Sequence, residues 1–373
     1  MNHGSGPVTV IVEPDPVGHR FQAVANVASV AARTTDVVLL TSTIGAGHDA
    51  FGVFLAGLDL EVEPRFDVIH PPTRDLARAV ADLCRERDVE TVLVMDADQS
   101  LKRWWYVARR EMRGVVKRPR VVFMVTRYPA RLGLRDTFGW KLRIAKSSLL
   151  LLAMATGTVH RAAGFAGRDD MSRGWLVKRA RDPEICLAHS RDRAQLRKEL
   201  DLPQDRIIAG ILGAIEERKN APMILDALDS AGFDADLLLA GGIRPEVWTW
   251  INGLPADRRQ RVIVRDGFLS NELMDKLLAA VDVAPIALTL NGPSGIMGKA
   301  LAAGVPVVTA GSKVRAREIR ATDGGVATDL DAKSIGAAIR KVLERDPAEP
   351  RRNIVPPATP EAFAETLLGV NGR

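Results

Sequence analysis

The chain has few cysteines and none of the short motifs that mark several common enzyme classes. Its two cysteines, Cys84 and Cys186, lie far apart, and neither belongs to a CxxC pair or has a clustered histidine partner. This pattern argues against a disulfide framework or a structural zinc site and suits a reducing compartment. The absence of a Walker loop, a GxSxG sequence and a CxxC motif argues against ATPase, hydrolase and redox functions.

The apolar runs are too short for export or for crossing a membrane. The longest, 149–159, has about half of the ~20 residues that a spanning helix requires, and Lys146 and Arg161 flank it. The run 8–12 has no basic segment before it and is shorter than the core of a signal peptide. We therefore expect a cytoplasmic protein.

Positive charge is concentrated in one part of the chain. Residues 1–99 contain 7 Lys and Arg against 15 Asp and Glu, whereas residues 100–181 contain 20 against 4. Aromatic residues alternate with the cations over residues 100–146, a composition that favours contact with an anionic membrane surface or an anionic acceptor. A solvated helical face with its tryptophans in the core is the alternative, and nucleic acid is the least favoured partner.

Short β-branched runs alternate with helical patterns along the chain, which at 373 residues is long enough for two domains. Helix 73–87 shows the i, i+3, i+4 spacing of a face that packs on a sheet. The alternation predicts an α/β fold with two Rossmann-like, doubly wound parallel sheets. The expected strands are 8–13, 37–41, 66–70, 91–96 and 121–126, then 207–212, 237–240, 262–264, 283–286 and 305–309.

A break in the pattern near residue 185 separates the two halves. Asp182-Pro183, the charged segment 191–199 and Leu202-Pro203 mark a connection followed by a new helix. Because parallel sheets bind ligands at the carboxyl ends of their strands, we expect the site in a cleft between two facing domains. The expected limits are 1–184 for the N-terminal domain with its basic block 100–181, 185–352 for the C-terminal domain, and 353–373 for a tail helix.

Two loops of the second half could bind a diphosphate. The segment 291–308 joins a glycine-rich turn to a helix beginning at Ser294, whose first N–H groups would face an anion at the positive end of the helix dipole. A loop that merely caps a helix explains this pattern equally well. The loop 213–220 follows a strand, and its Arg218 and Lys219 could reach the same diphosphate, although a solvated basic pair is the alternative.

The first half offers candidates for the acceptor side of the cleft. Gly18 and His19 link the first strand to a helix, and a surface histidine near a helix start explains His19 equally well. Asp96, Asp98 and Arg127 end two expected strands and should point toward the cleft. No histidine has partners at metal-ligand spacing, so we predict no metal and no cofactor.

The second half resembles the carboxyl-terminal domain of retaining GT-B glycosyltransferases of family 4 (group 1). Four features occur in the family's order: a donor loop at 213–220, Gly267-Phe268-Leu269-Ser270 followed by a helix and Ala280–Val283, the glycine loop, and Ala302–Val308, which matches an "AxAxGxPVV" pattern. The likeness is clear over about residues 170–345. The first half matches in architecture only.

The resemblance implies a metal-independent, hexosyltransferase-like enzyme, with departures at three positions. The family's two glutamates, which contact the donor sugar and the ribose, are replaced by Asn291 and Lys299, and the donor-loop arginine by Ala214. Lys299 cannot accept a hydrogen bond from ribose and suits a phosphate or acidic group better. The implied donor-binding residues are Gly213, Asn291, Ser294, Gly295, Ile296, Met297 and Lys299, with Arg218 and Lys219 as the catalytic cations.

The resulting hypothesis is a glycosyltransferase that moves a sugar from a nucleotide diphosphate sugar to an unidentified acceptor with retention, in cell-surface polysaccharide or glycolipid synthesis. We expect it peripherally at the inner membrane surface. An inactive GT-B scaffold or binding partner and a GT-B sugar-nucleotide epimerase are the alternatives.

Overall fold

The computed structural model describes residues 6–17, 20–129, 131–132, 136–188, 192–289, 294–346 and 352–370. The chain divides into two units. The first comprises Met1–Ala166, Asp170–Arg181 and Thr359–Arg373, and the second comprises Gly167–Asp169 and Asp182–Ala358. The chain passes from the first unit to the second between residues 181 and 182. This position is close to the boundary after residue 184 that the sequence indicates.

The first unit is built on a parallel sheet of seven strands in the order β3-β2-β1-β4-β5-β6-β7. Apolar β-branched residues dominate β1, β2, β4 and β5 and are almost all buried, as in a sheet that helices cover on both faces. The strands are β1 (Val8–Val12), β2 (Asp36–Ser42), β3 (Glu61–Phe66), β4 (Val89–Val94), β5 (Arg120–Met124), β6 (Arg161–Ala166) and β7 (Val177–Arg181).

Helices cover this sheet and form a buried core on each face. Leu76 and Trp104 belong to one core, and Phe21 and Val24 belong to the other. The helices that follow the strands are α1 (Arg20–Ala31), α2 (Thr43–Ala46), α3 (Asp49–Phe54), α4 (Thr73–Glu86), α5 (Leu101–Glu111) and α6 (Thr137–Ala155).

In the first unit, three strands differ from the sequence prediction, and in the second unit the short last strand, Gly325–Thr328, is not predicted. The strand expected at 66–70 is wrong, because the chain pairs earlier as β3, an edge strand. An edge tolerates Pro64, which has no N–H to donate, and it tolerates the half-exposed charges of Glu61 and Glu63. The strands β6 and β7 are not predicted, because small and charged residues replace the β-branched runs there.

The second unit repeats the arrangement in six parallel strands. Two three-stranded sheets, β10-β9-β8 and β11-β12-β13, meet where Ala209 of β8 bridges Val283 just before β11. The Gly210 N–H donates to the Val283 carbonyl at 3.0 Å across this join. The strands are β8 (Ile207–Leu212), β9 (Ala235–Gly241), β10 (Val262–Asp266), β11 (Ala284–Ala287), β12 (Val307–Ala310) and β13 (Gly325–Thr328).

The helices of the second unit begin at side-chain caps in several places. The Ser294 hydroxyl accepts from the Met297 N–H at 3.3 Å, and Ser270 caps the helix that begins at Asn271 in the same way. The helices are α7 (Arg193–Glu199), α8 (Ala221–Ala231), α9 (Pro245–Asn252), α10 (Ala256–Arg259), α11 (Asn271–Ala280), α12 (Gly295–Ala302), α13 (Lys313–Thr322) and α14 (Ala332–Leu343). Among the helices described, none is both long and apolar enough to cross a membrane.

The last helix, α15 (Pro360–Leu368), belongs to the first unit. It packs on α1 and β7, and the ring of its buried Phe363 stacks on Phe165 of β6 with centroids 5.6 Å apart. The Arg161 guanidinium donates to the Thr366 carbonyl at 3.0 and 2.8 Å, so a cation satisfies an unpaired carbonyl in the last turn. The C-terminal segment therefore completes one face of the first sheet.

We expect Phe363→Ala to destabilise the protein by about 3–5 kcal/mol, because it removes a buried ring and leaves a cavity. Chemical denaturation with a probe of the first unit measures this loss. Phe138→Ala is the matched control, since Phe138 is 76% exposed in the same unit and should change stability by less than about 0.5 kcal/mol. A Phe363→Ala protein as stable as the control would contradict the packing of α15.

Candidate functional site

In the second unit, the loop after β8 brings a lysine to the carboxyl end of the sheet. Gly213 has a φ of +85°, a left-handed conformation that glycine adopts without strain, and its Cα lies close to the Lys219 ammonium. That ammonium donates to the Leu212 carbonyl at the end of β8. Lys219 is therefore held at the strand end, as the sequence analysis expects.

Burial changes the acidity of Lys219. Desolvation, with the neighbouring charge of Arg218, lowers the pKa of Lys219 from 10.5 to about 8. Arg218 itself is exposed and donates to Glu216 at 2.5 Å. Because an exposed ion pair of this kind contributes little free energy, Arg218 can leave Glu216 for an anionic ligand at small cost.

A second loop reaches the same edge of the sheet. The Asn220 side-chain amide, at the start of α8, donates to the Ala287 carbonyl at the end of β11 at 2.7 Å. The buried Arg315 of α13 donates to the Leu288 carbonyl, one residue further on. These two contacts fix the start of the connection that leads to Ser294 and α12. Asn220 lies in the predicted loop 213–220, whereas Arg315 is not predicted, and both partners are too far away in the chain for a local pattern to show these contacts.

The loops meet where the strand order reverses. Chain connections leave β8 and β11 in opposite directions, since β9 and β10 lie on one side and β12 and β13 on the other. Such a reversal opens a crevice at the carboxyl ends of the two strands. Gly213 and Lys219 at the end of β8 and Leu288 just after β11 therefore flank a position suited to a ligand.

The start of α12 is only partly available to that ligand. The Met297 N–H already donates to the Ser294 hydroxyl, and the Met297 side chain is buried in the core. Gly295 and Ile296 are half-buried and lie in the first turn. Asn291, predicted to contact the donor sugar, lies outside the described residues.

Lys299 is placed in a buried ion pair. Its ammonium contacts the carboxylate of Asp275 on α11, a side chain with no exposed surface. The second carboxylate oxygen of Asp275 accepts from the Leu187 N–H at 2.7 Å. A phosphate contact would require Lys299 to leave Asp275 as an uncompensated buried charge, which is costly. The sequence could not show this partner, because nothing in the local pattern pairs residues 275 and 299.

In the first unit, the strand order reverses between β1 and β4, and one arginine contacts three carboxylates there. The Arg20 guanidinium lies 3.3 Å from Glu13, 3.3 Å from Asp15 and 2.8 Å from Asp96. Burial raises the pKa of Glu13 to about 8, although Arg20 opposes the change. Asp96 therefore belongs to a charged network at the strand ends. Gly18 and His19, just before Arg20, lie outside the described residues.

Arg127 lies next to this network and is held by its backbone. The Asp98 carboxylate accepts from the Arg127 N–H at 2.7 Å and from the Thr126 hydroxyl at 2.9 Å. Lys146 of α6 donates to Asp98 and to the Arg127 carbonyl at 2.7 and 2.9 Å. The Arg127 side chain is exposed beyond the strand end. The absence of a metal site stays a prediction.

Solved structures similar to this chain are GT-B glycosyltransferases. HepE of Anabaena, solved with UDP, is 15% identical with a TM-score of 0.63, and the alignment covers 97% of this chain and 95% of HepE. A glycosyltransferase of Rickettsia africae is 12% identical with a TM-score of 0.64, covering 98% of this chain and 94% of that one. WaaG, a glycosyltransferase involved in lipopolysaccharide biosynthesis, is 16% identical with a TM-score of 0.55, covering 96% and 94%.

These similarities confirm the predicted fold class, an α/β fold of the GT-B type with Rossmann-like parallel sheets. No protein-family model matches the sequence. No curated protein sequence matches it either.

The pair formed by Lys299 and Asp275 predicts a specific pattern of stability. We expect Lys299→Met to cost about 3–5 kcal/mol, because Asp275 is left charged and buried. Adding Asp275→Asn removes that charge while keeping an acceptor for the Leu187 N–H, so the double variant should recover most of the loss. Denaturant unfolding of the three proteins measures both effects. A stable single variant would mean that Lys299 is free to serve a ligand.

Proposed function

We propose that this protein is a glycosyltransferase that uses a nucleotide diphosphate sugar, with the donor bound by the second unit and the acceptor by the first. The observation that carries the proposal is that one loop joins the ends of β8 and β11, since Lys219 donates to the Leu212 carbonyl and Asn220 to the Ala287 carbonyl. The similarity of almost the whole chain to HepE, solved with UDP and with UDP-glucose, supports the same assignment.

The chemistry required is stabilisation of a leaving diphosphate. In the proposed mechanism, Lys219 supplies a localised positive charge and Arg218 supplies a planar pair of donors. The half-buried first turn of α12 adds backbone N–H groups and the positive end of a helix dipole. These groups act as charge develops on the diphosphate when the glycosidic bond breaks. We further propose that transfer proceeds with retention, the donor phosphate assisting deprotonation of the acceptor, and that no metal is needed.

One observation favours a second candidate function. Lys299 occupies the position where related enzymes carry a ribose-binding glutamate, and here it is paired with Asp275. Without a glutamate to contact the ribose, the second unit could bind a nucleotide sugar without catalysing transfer of the sugar. The alternative is therefore a catalytically inactive GT-B protein that binds a nucleotide sugar or a partner enzyme.

Calorimetric titration with UDP, ADP and GDP, followed by a turnover assay with the sugar nucleotide of any base that binds, separates these functions. Binding with sugar release or transfer supports the glycosyltransferase. Binding without turnover across a panel of acceptors supports the inactive protein. Failure to bind any of these nucleoside diphosphates would contradict the glycosyltransferase and leave only the binding of a partner enzyme.

We expect Lys219→Ala to weaken binding of the nucleoside diphosphate by about 1.5–3 kcal/mol, the range for a hydrogen bond to a charged group, or roughly 10- to 100-fold. The matched control is Lys333→Ala, which removes an exposed lysine from the same unit and should leave affinity unchanged. Equal affinity of wild type and Lys219→Ala would remove this lysine from the donor site.

The same lysine predicts a pH dependence. Because its pKa is lowered to about 8, the ammonium loses its proton as the pH rises through that value, and affinity for the diphosphate should fall above it. Bound diphosphate favours the charged form, so binding near pH 8 should take up a proton. Calorimetry in buffers of different ionisation enthalpy measures this uptake, which Lys219→Ala should lack.

We also propose that helices α5 and α6 bind an anionic membrane surface. The two helices pack against each other, and α6 exposes Phe138, Trp140 and Ile144. Helix α5 presents four exposed cations: Lys102, Arg103, Arg109 and Arg110. Not every aromatic residue of this region is exposed. Trp104 of α5 is fully buried in the core and donates to the Thr158 carbonyl at 3.0 Å. Exposed apolar residues beside cations are the composition of a peripheral membrane surface.

Replacing the four α5 cations with Gln should weaken binding to vesicles of phosphatidylcholine and phosphatidylglycerol and reduce its dependence on salt. Each nearby cation contributes about 1 kcal/mol at an anionic surface. Vesicle flotation measures the effect, and affinity for the nucleoside diphosphate should not change. Equal flotation of the wild-type and substituted proteins would show that this face of α5 is an ordinary solvated surface.

A further inference from the structure

Two arginines of the first unit lie against Tyr128, a buried residue that follows β5. The guanidinium carbons of Arg143 on α6 and Arg179 on β7 each lie 5.9 Å from the centre of the Tyr128 ring. The Tyr128 hydroxyl is 2.9 Å from the Ser147 hydroxyl, which fixes the ring against α6. The ring thus contacts cations from two different elements.

The third arginine joins through a shared carboxylate. Arg131 lies 3.4 Å from one oxygen of Asp170, and Arg179 lies 3.8 Å from the other. Asp170 is itself buried, and it accepts from the Ser172 N–H and hydroxyl at 3.1 and 2.6 Å. We call Arg131, Arg143 and Arg179 the arginine cluster.

The local electrostatics favour an added anion. Burial lowers the pKa of Arg179, and the charges of Arg143 and Arg131 lower it further against the opposing effect of Asp170. The pKa of Asp170 is lowered despite its burial, because Ser172, Arg131 and Arg179 stabilise the carboxylate. Three like charges near a partly buried ring repel one another, and an anion between them would relieve that repulsion.

The cluster lies beside the strand end that carries Arg127. Tyr128 is the next residue in the chain, and Ser147 follows Lys146, which anchors Arg127 through Asp98. The segment between Asp170 and β7 adds two exposed apolar side chains, Met171 and Trp175. An anionic group and an apolar neighbour could therefore be accommodated together at this edge of the first unit.

We propose that the arginine cluster binds the phosphate group of the acceptor, so that the acceptor is a phosphorylated molecule. Guanidinium groups match phosphate oxygens with paired hydrogen bonds. The three arginines come from a loop, a helix and a strand that meet at Tyr128 and Asp170. The assignment of this phosphate to an acceptor rests on the proposed glycosyltransferase function; the binding of phosphate does not.

The test is calorimetric titration of inorganic phosphate into the full chain, with UDP present at saturation so that the donor site is filled. Arg143→Gln should weaken phosphate binding by about 10- to 100-fold. Arg33→Gln, which removes an exposed arginine just after α1 in the same unit, is the matched control and should change it by less than about twofold. Arg131→Gln, at a more exposed position, serves as the second variant if Arg143→Gln unfolds.

Two further measurements make the outcomes distinct. The same titration in a Lys219→Ala background, without UDP, should show phosphate binding that remains sensitive to Arg143→Gln. If the chain binds none of UDP, ADP and GDP but keeps this phosphate binding, the proposed function fails and the phosphate site stands. If wild type binds no phosphate, or if Arg33→Gln weakens binding as much as Arg143→Gln, the phosphate site is overturned.

Vesicles identify the source of the phosphate. The protein is tested on vesicles that contain phosphatidic acid and on vesicles of equal charge that contain phosphatidylglycerol, each in phosphatidylcholine. Stronger binding to the phosphatidic acid vesicles, lost in Arg143→Gln, assigns the site to a lipid phosphate. Phosphate binding in solution that depends on Arg143, without such a preference among vesicles, assigns it to a soluble phosphorylated acceptor. Vesicle and solution binding that are both indifferent to Arg143→Gln would refute the proposal.

Discussion

The reversal of strand order within each parallel sheet is the constraint on which the candidate sites depend. In the first unit the connections leave β1 and β4 in opposite directions, and in the second unit they leave β8 and β11 in the same way. A right-handed crossover covers one face of a sheet, so a reversal leaves the intervening strand ends uncovered. Arg20 with its carboxylates, and Lys219 with Asn220, lie at these two places.

Buried charges hold the segments around these strand ends in position. Lys299 is held on Asp275, and the segment 167–169 is anchored in the second unit by the fully buried Arg168, which contacts Asp182 and lies 3.2 Å from Glu318. Burial raises the pKa of Glu318 to about 7 against the effect of Arg168. Because removing one partner of such a pair leaves an uncompensated charge, these contacts specify one arrangement of the chain more sharply than apolar packing would.

The cations of the first unit divide into two groups with different surroundings. Those on α5 are exposed, and the neighbouring helix α6 also exposes apolar residues, which suits a broad anionic surface. Those of the arginine cluster converge on one aromatic ring and one buried carboxylate, which suits a single anionic group. A membrane-bound acceptor with a phosphate group would use both, and the two groups can be altered separately.

The sequence by itself determined the features that depend on neighbouring residues. Apolar β-branched runs gave most strands close to their observed positions, Ser294 began α12 through its own hydroxyl, and the loop holding Lys219 followed directly from β8. Only the tertiary structure decided that Lys299 faces Asp275, that Asp170 lies between Arg131 and Arg179, and that α15 completes the first unit. Hydrophobic periodicity and helix caps act over a few residues, whereas these contacts join residues that become neighbours only when strands pair and helices pack.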